Sequence, residues 1–286
     1  MLGYVLEIIL QSYGRIPDEA KGEIRELMED CFRKLSPPSP EIVDVILFED
    51  SSRMEGYLLA EQNSVGVYSQ GLDAKFVATH EAWTGIPRIL VCYERLQELS
   101  PQLRRAVVRH EAAHSILHGS PEYYIFPIPR PLLKASEKYD LPRDYTLHIL
   151  YLLAMGVKDY EATRILLDHG YVEDQIEYAW HFCKTGIDDL EAWKISKGDP
   201  KKELLCLAGR FKDFACVTAV MTHHGSNVVE LAAAKKELEY LPEDTGSRLL
   251  EVCAALAQMN GHDTFSKVEL AAELIAGRLI PPIFEG

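Results

Sequence analysis

Residues 100–119 read SPQLRRAVVRHEAAHSILHG, and this segment is the reference point for the elements that we predict around it. Ser100-Pro101 favours a helix start, because the serine side chain can accept a hydrogen bond from a free backbone amide and proline at the first helical position forfeits none. Apolar residues recur at helical spacing after it, and Gly119 is a residue type that ends helices. The segment therefore predicts a helix over Gln102–His118.

The elements before this helix predict a small sheet. A first helix is expected over Asp18–Lys34, ahead of a proline-rich turn. Three short runs rich in β-branched and aromatic residues follow it, at Val43–Phe48, Phe76–His80 and Arg88–Tyr93, and each is bounded by turn residues. Together these elements predict an α+β lobe over residues 1–130.

The second half of the sequence has a helical pattern from about Pro131 nearly to its end, without a repeat at a fixed period. The expected helix breaks are at Pro142, Gly156, Gly170, Gly186, Pro200, Gly225, Pro242 and Gly261. We therefore predict a helical lobe over residues 131–286. The fold class that follows is α+β, with a small sheet and one motif-bearing helix followed by a largely α-helical C-terminal half.

The chain has the composition of a folded globular protein, but its charge is one-sided. It contains 30 Lys and Arg against 44 Asp and Glu, and the formal net charge of −14 repels nucleic-acid phosphates. Its six cysteines form no CxxC pair, as expected for reduced thiols inside a cell. Met1–Leu10 lacks the basic residue and cleavage site of an export signal, and no uncharged run approaches the roughly 18 residues of a membrane span. We expect a cytoplasmic protein that binds neither nucleic acid nor membrane.

Residues 110–114, within the predicted helix, form the pattern His-Glu-x-x-His. Because each helical residue advances about 100°, His110 and His114 lie about 40° apart on one face, and their imidazoles can bind one metal ion. Nitrogen ligands at this spacing suit zinc. Glu111 is rotated to one side of the pair, where its carboxylate can take a proton from water. The pattern predicts a Zn²⁺ site with Glu111 as general base.

Chance and packing are the competing explanations of this pattern. Given the histidine and acid content of the chain, roughly 0.05 such matches are expected by chance. Thr79-His80-Glu81 begins the same pattern, but Thr84 stands where the second histidine is required and the segment is strand-like. His110 and His114 can alternatively be hydrogen-bonded core histidines on the buried face of the helix. His118 is one turn too far to reach the same ion, so we expect it to support a ligand or to cap the helix.

On the motif at residues 110–114, the sequence resembles the zincin metallopeptidases, which share a small sheet and an H-E-x-x-H helix that lines the substrate cleft. The resemblance implies bound Zn²⁺, hydrolysis of peptide bonds, and a peptide or protein substrate. Arg88–Tyr93 has the place, just before the motif helix, of the edge strand that often pairs with an extended peptide in such enzymes. The alternative is a non-catalytic scaffold or regulatory protein in which a metal only stabilises the fold.

Zincin subfamilies differ in the third metal ligand. The metzincin form is excluded, because it requires glycine and histidine where this sequence has Leu117 and Ser120. The gluzincin form takes an acid from a later helix. Lys158–Arg164 resembles the acid-x-x-Ala-Asp pattern of the membrane-protease branch and the acid-x-x-Ala-Asn pattern of the ImmA/IrrE-type regulatory peptidases. Strict alignment selects Asp159 as the ligand, although Thr163 departs from the family residue.

Glu161 competes with Asp159 for this role. Its side chain is longer and lies inside the predicted helix, whereas Asp159 can cap that helix, so Glu161 is slightly preferred. The two side chains are about 200° apart on a helix, and only one of them can face the ion. Four further residues have permitted spacings but are more simply explained as exposed or capping residues: Glu122, Glu137, Asp144 and His148.

Tyr123 and Tyr124 follow the motif helix directly. A tyrosine hydroxyl at this place can stabilise the oxyanion that forms on a substrate carbonyl group. Packing of an aromatic loop stiffened by proline is the simpler role. We retain both tyrosines as predicted substrate-binding residues.

Overall fold

The computed structural model describes residues 6–35, 40–65, 76–223, 225, 228–259 and 263–285. They divide into two compact units. The first contains the chain up to Ile125 together with His169–Glu177, and the second contains Phe126–Asp168 and the chain from Tyr178 onward. The sequence placed the division at residue 130 and assigned residues 169–177 to the helical lobe, whereas the structure groups them with the first unit.

A four-stranded mixed sheet forms the centre of the first unit. Its strands are β1 (Glu7–Tyr13), β2 (Ile42–Phe48), β3 (Ala78–Glu81) and β4 (Arg88–Cys92). They are arranged in the order β1-β2-β4-β3, with β2 parallel to both of its neighbours and β3 antiparallel to β4. The coarse α+β class is therefore confirmed.

The prediction that the strand at residues 88–93 forms an edge of the sheet is wrong. β4 lies between β2 and β3, and all five of its residues are buried. The short connection at residues 82–87 returns the chain antiparallel, so that β3 covers the edge that β4 would otherwise expose. β3 is the edge strand of the described sheet, and its residues are only partly buried.

Helices surround this sheet. In the first unit they are α1 (Asp18–Lys34), α2 (Ser51–Val65), α3 (Tyr93–Glu98) and α4 (Pro101–Leu117), followed by a 3₁₀ turn over Pro121–Tyr124. α1 and α4 confirm the two predicted helices to within one residue at each end. α2 was not predicted, although its buried Met54 and Leu58 have helical spacing and pack against the strand residues Phe48 and Leu90.

The remaining helices confirm a helical second half of the chain. They are α5 (Arg130–Lys138), α6 (Arg143–Asp168), α7 (Val172–Cys183), α8 (Ile187–Ser196), α9 (Pro200–His223), α10 (Val228–Lys236), α11 (Glu243–Leu256), α12 (Thr264–Leu274) and α13 (Ile280–Glu285), with a π-helical turn over Ile275–Leu279. Helix ends lie at or near most of the predicted breaks, and Gly261 is outside the described residues.

The break predicted at Gly156 is wrong, because α6 runs through this residue without interruption. Instead, Gly156 allows α6 and α9 to pack closely within the second unit. A Cβ atom at this position would lie 2.9 Å from Cε1 of Phe211 and 3.0 Å from Cα of Lys212, both on α9. Glycine is therefore explained by the approach of α9 and not by a turn.

Two further predictions, reduced cysteines and the lack of a membrane span, can be compared with the described residues. The six cysteines are all free thiols; five are buried, and Cys206 is partly exposed. None of the described helices combines the length and the apolar character that crossing a membrane requires.

Candidate metal centre

Helix α4 begins as its sequence predicts and lies against the sheet. Ser100 Oγ accepts a hydrogen bond from the Leu103 amide at 3.1 Å, which satisfies one of the free donors at the helix start. The helix packs on β3, β4 and α1 within the first unit. This packing buries the face that carries the His-Glu-x-x-His motif.

The segment His169–Glu177 holds the same helix through charged and aromatic contacts. Arg109, the residue before the motif, forms an ion pair with the buried Asp174. The Arg109 guanidinium also lies 4.5 Å from the centroid of the Tyr171 ring, within the range of a cation–π contact. These contacts explain why residues 169–177 belong to the first unit.

His110 and His114 converge as the motif predicts. Their Nε2 atoms are 3.1 Å apart, and only 1% and 6% of the two residues is exposed. Two nitrogens that bind one tetrahedral zinc ion at about 2.0–2.1 Å are about 3.3–3.4 Å apart, so a small shift of either ring admits the ion. The same distance permits a hydrogen bond between two neutral imidazoles. The two residues therefore fit a shared metal ion.

Glu111 is the third member of the motif and is also buried, with 7% of its surface exposed. It lies about 100° around the helix from His110, so its carboxylate flanks the histidine pair. Ser115 Oγ donates to the Glu111 carbonyl oxygen at 3.2 Å, which keeps this hydroxyl within the helix. The buried carboxylate beside two imidazoles is a residue type that proton transfer requires.

His118 has the geometry for both of its predicted roles. Its Nδ1 atom is 3.1 Å from Nδ1 of His114, and it is the C-cap residue of α4. The His118 ring is fully buried and meets the ring of Tyr123 edge-on, with 5.2 Å between centroids. The next residue is Gly119. A side chain does not fit at this position, because a Cβ atom there would lie 2.2 Å from the Ser115 carbonyl oxygen.

His80 is the residue that the sequence analysis missed. Its ring stacks on the ring of His114, with 5.9 Å between centroids and 10° between planes. Its Nδ1 atom is 2.8 Å from the hydroxyl oxygen of Tyr124. The only sequence signal was a histidine inside a strand, because its approach to α4 depends on β3 being the strand beside that helix.

Glu81 points to the other side of the sheet, as strand alternation requires. It forms an ion pair with Arg88, its partner in the β3–β4 register, and Arg88 also pairs with Glu61. Trp83 Nε1 donates to the Glu81 carboxylate at 3.0 Å. Burial raises the pKa of Glu81 even though the Arg88 guanidinium lowers it. Glu81 therefore belongs to a structural ion-pair group.

Glu161, the slightly preferred third ligand, is held within the second unit. Its carboxylate accepts a hydrogen bond from Thr264 Oγ1 at 2.8 Å and forms an ion pair with Lys267. The side chains of Glu161 and Lys267 are each only 11% exposed. This buried pair joins α6 to α12.

Asp159 has a different environment on the same helix. It is partly buried, and its carbonyl oxygen accepts a weak hydrogen bond from the Cys216 thiol at 3.8 Å. Burial lowers the pKa of the nearby Lys212, but the carboxylates of Asp213 and Asp159 raise it further than burial lowers it. Asp159 thus contributes negative charge to a cluster on α6 and α9.

The four less favoured ligand candidates share one property, which is that all are exposed. They are Glu122, Glu137, Asp144 and His148. Exposure suits their simpler explanation as solvated surface residues.

Comparisons of this chain with protein-family models, with curated proteins and with solved structures find no match in any of the three.

Proposed function

We propose that this protein is a zinc-dependent hydrolase that cleaves peptide bonds, with His110 and His114 as metal ligands and Glu111 as general base. The observation that carries the proposal is the 3.1 Å separation of the two Nε2 atoms on a buried helix face. Burial of two imidazoles and a carboxylate is costly unless each group has a partner, and a metal ion would serve both rings together.

We assign the third ligand to Asp159. Strict alignment with the resembled acid-x-x-Ala pattern selects this residue, and two imidazole nitrogens with one carboxylate oxygen are ligand types that zinc takes in proteins. Glu161 is less suitable, because its withdrawal would leave the buried Lys267 without this carboxylate. Three protein ligands of this kind suit a catalytic zinc ion, which keeps a further position for water or substrate.

When bound, Zn²⁺ supplies Lewis-acid polarisation of a carbonyl group and of water. Glu111 would accept the proton of the attacking water on a carboxylate oxygen and pass it to the leaving amine nitrogen. His118 would orient the ring of His114 through the contact between their Nδ1 atoms. β3 is the edge strand of the sheet formed by the described residues, and an edge strand is the position at which an extended peptide can add.

Elemental analysis of the purified protein, followed by digestion of a peptide library with and without a chelator, tests this proposal. We expect about one zinc ion per chain and cleavage that the chelator stops and added zinc restores. Tight zinc binding without any cleavage would reject the catalytic proposal.

A metal-stabilised scaffold is the second candidate. The burial of His110, Glu111 and His114 favours it, because a structural metal site is closed to solvent and substrate. The spectrum of the cobalt-substituted protein distinguishes the candidates. An open catalytic site changes its spectrum when a hydroxamate inhibitor is added, whereas a closed site does not.

A further inference from the structure

A cavity of about 290 Å³ lies in the second unit, between the end of α10 and the first two turns of α11. Its lining comes entirely from residues 235–250. Small-molecule cavities in proteins typically measure about 300–1,000 Å³, so this one suits a single small ligand. The function proposed above uses no residue of this segment, and the cavity therefore needs an explanation of its own.

The inner wall of this cavity is apolar. Leu238 and Leu241, in the connection between the two helices, are only 3% and 5% exposed, and Leu250 on α11 is half-buried. Gly246 lets α11 lie close to this connection, since even a Cβ atom there would be 3.5 Å from Cβ of Leu238. A hydrocarbon group inside the cavity would therefore contact leucine side chains and displace water from them.

The rim of the cavity is charged. Lys235 is an exposed cation at the end of α10, and Glu239 and Glu243 are exposed carboxylates that line the same opening. Within the part of the chain that the structure describes, none of these three side chains forms an ion pair or a hydrogen bond. Groups of opposite charge that do not pair with each other keep their attraction for a ligand. The rim thus presents one cationic and two anionic groups above an apolar wall.

Helix α11 presents its part of the cavity as one stripe. The stripe has the spacing i, i+3, i+4 and i+7, so its members share a face of the helix: Glu243, Gly246, Ser247 and Leu250. The other buried residues of the helix follow a neighbouring face: Leu249, Val252, Cys253 and Leu256. Packing of the core therefore does not account for Leu250, whereas an apolar contact inside the cavity does.

The ligand that complements this lining has one negative charge, two positive charges and an aliphatic stem. A free basic amino acid, arginine or lysine, has this composition. Its α-carboxylate suits Lys235, its α-ammonium and side-chain cation suit the two glutamates, and its methylene groups suit the leucine wall. The net charge of −14 on the chain also attracts a ligand that is cationic overall.

We propose that this cavity binds a free basic amino acid, with Lys235 at the α-carboxylate and Glu239 and Glu243 at the two cationic groups. The stem of the ligand packs on Leu238, Leu241 and Leu250. Binding needs neither a metal ion nor the proposed hydrolase activity, because every residue that contacts the ligand lies between positions 235 and 250. The two proposals can therefore fail separately.

NMR titration of the full-length protein with L-arginine tests this proposal. A chelator is present throughout, so that amino acids cannot bind through a metal ion. We expect saturable shifts of backbone amides within residues 235–250, with a Kd of about 0.1–1 mM for a ligand of this size. L-lysine should bind comparably. L-citrulline, which lacks the side-chain charge, and agmatine, which lacks the carboxylate, should each bind about three- to tenfold more weakly.

Variants of the rim assign each charge. Lys235→Gln should weaken L-arginine binding about three- to tenfold but bind agmatine at least as well as the wild type does, because agmatine has no carboxylate. Lys236→Gln is the matched control, since Lys236 is exposed and lies outside the lining. Glu243→Gln should weaken both ligands, and Asp244→Asn in the same helical turn should weaken neither.

A blocking variant adds a test that does not depend on charge. Ser247 is exposed on the cavity stripe, so Ser247→Trp should fill the opening and abolish binding while the circular-dichroism spectrum stays that of the wild type.

Three results would overturn the proposal. Shifts that do not saturate, or that agmatine causes as strongly as L-arginine, would show only the general attraction of cations to an acidic chain. Equal losses in the rim variants and in their controls would have the same meaning. Saturable shifts outside residues 235–250, or full binding in Ser247→Trp, would place the ligand elsewhere.

Discussion

The first unit contains the dipeptide His-Glu twice, once on strand β3 and once on helix α4, and the two copies have different surroundings. On the strand, His80 and Glu81 point to opposite sides of the sheet, toward His114 and toward Arg88 respectively. On the helix, Glu111 is about 100° from His110 and flanks the same buried group. The strand thus directs the histidine and glutamate side chains apart, whereas the helix keeps them beside the same group.

This comparison shows that the backbone period decides whether neighbouring side chains share a site. His80 on the strand lies near the candidate centre only because β3 is the edge strand beside α4. The acid next to it, Glu81, lies on the other side of the sheet in an ion-pair group with Arg88 and Glu61. The helical period returns a second histidine to the same face after four residues.

The largest expected effect distinguishes the two glutamates. Glu111→Gln should lower kcat about 10²–10⁴-fold while zinc content is retained, because Glu111 is the proposed general base and not a proposed ligand. The matched variant Glu81→Gln should retain kcat but lose about 1.5–3 kcal/mol of unfolding free energy, because it weakens a charged contact to the buried Arg88. Kinetics, metal analysis and urea unfolding measure the three quantities. Equal kinetic losses in the two variants would contradict the comparison.

The next largest effects distinguish two acids of α6, Glu161 and Asp159, by protein stability and by zinc binding. Glu161→Gln should lower the unfolding free energy by about 3–5 kcal/mol and leave zinc binding intact, because it breaks a pair whose side chains are 11% exposed. Asp159→Asn should have the opposite profile, with zinc binding lost and the stability of the metal-free protein changed little. Urea unfolding of the metal-free proteins and zinc titration separate these profiles. Zinc loss in Glu161→Gln together with retention in Asp159→Asn would reverse our assignment.

A smaller effect, on zinc affinity, is expected for His118, which contacts the ring of the proposed ligand His114. His118→Phe keeps a buried ring beside Tyr123 but removes the nitrogen that contacts His114, so zinc affinity should fall about 10–100-fold at unchanged stoichiometry. The exposed His148 provides the control, since His148→Phe should leave zinc affinity as it is. Competition titration with a chromophoric chelator measures both. Unchanged affinity in His118→Phe would limit His118 to helix capping.

The smallest effect concerns the pH dependence of the segment that holds α4. Burial alone would raise the pKa of Asp30, but hydrogen bonds from Tyr171, Lys34 and Arg33 lower it to about 2. Because the folded pKa lies below the usual value of 3.8, the stabilisation is present above about pH 4 and is lost as the pH falls toward 2. The Asp30 side chain is 23% exposed, so we expect Asp30→Asn to remove only about 1 kcal/mol at pH 7. Unfolding curves from pH 7 to pH 2 should converge for the two proteins at the acid end; a constant difference would contradict this account.

Local signals in the sequence were sufficient for the motif helix and its surroundings. Ser100-Pro101 correctly marked the start of α4, and the spacing of His110 and His114 predicted their convergence. These features depend on neighbouring residues and on the helical period alone. The same local reasoning predicted α1 and the three later strands closely.

Contacts between distant residues could not be predicted in this way. His80 reaches His114 only because β3 pairs outside β4, and that order is a property of the whole sheet. Glu161 is paired with a lysine 106 residues later in the chain, which no pattern on α6 indicates. Gly156 has the appearance of a helix break until the approach of α9 is known.

The return of residues 169–177 to the first unit has a practical consequence for dissecting this protein. A fragment truncated after Ile125 would omit Asp174, so the Arg109 guanidinium next to the His-Glu-x-x-His motif would lose its counter-ion. Expression of the N-terminal half alone is therefore an unsound route to an isolated first unit. A fusion that appends residues 169–177 through a flexible linker preserves that charge balance.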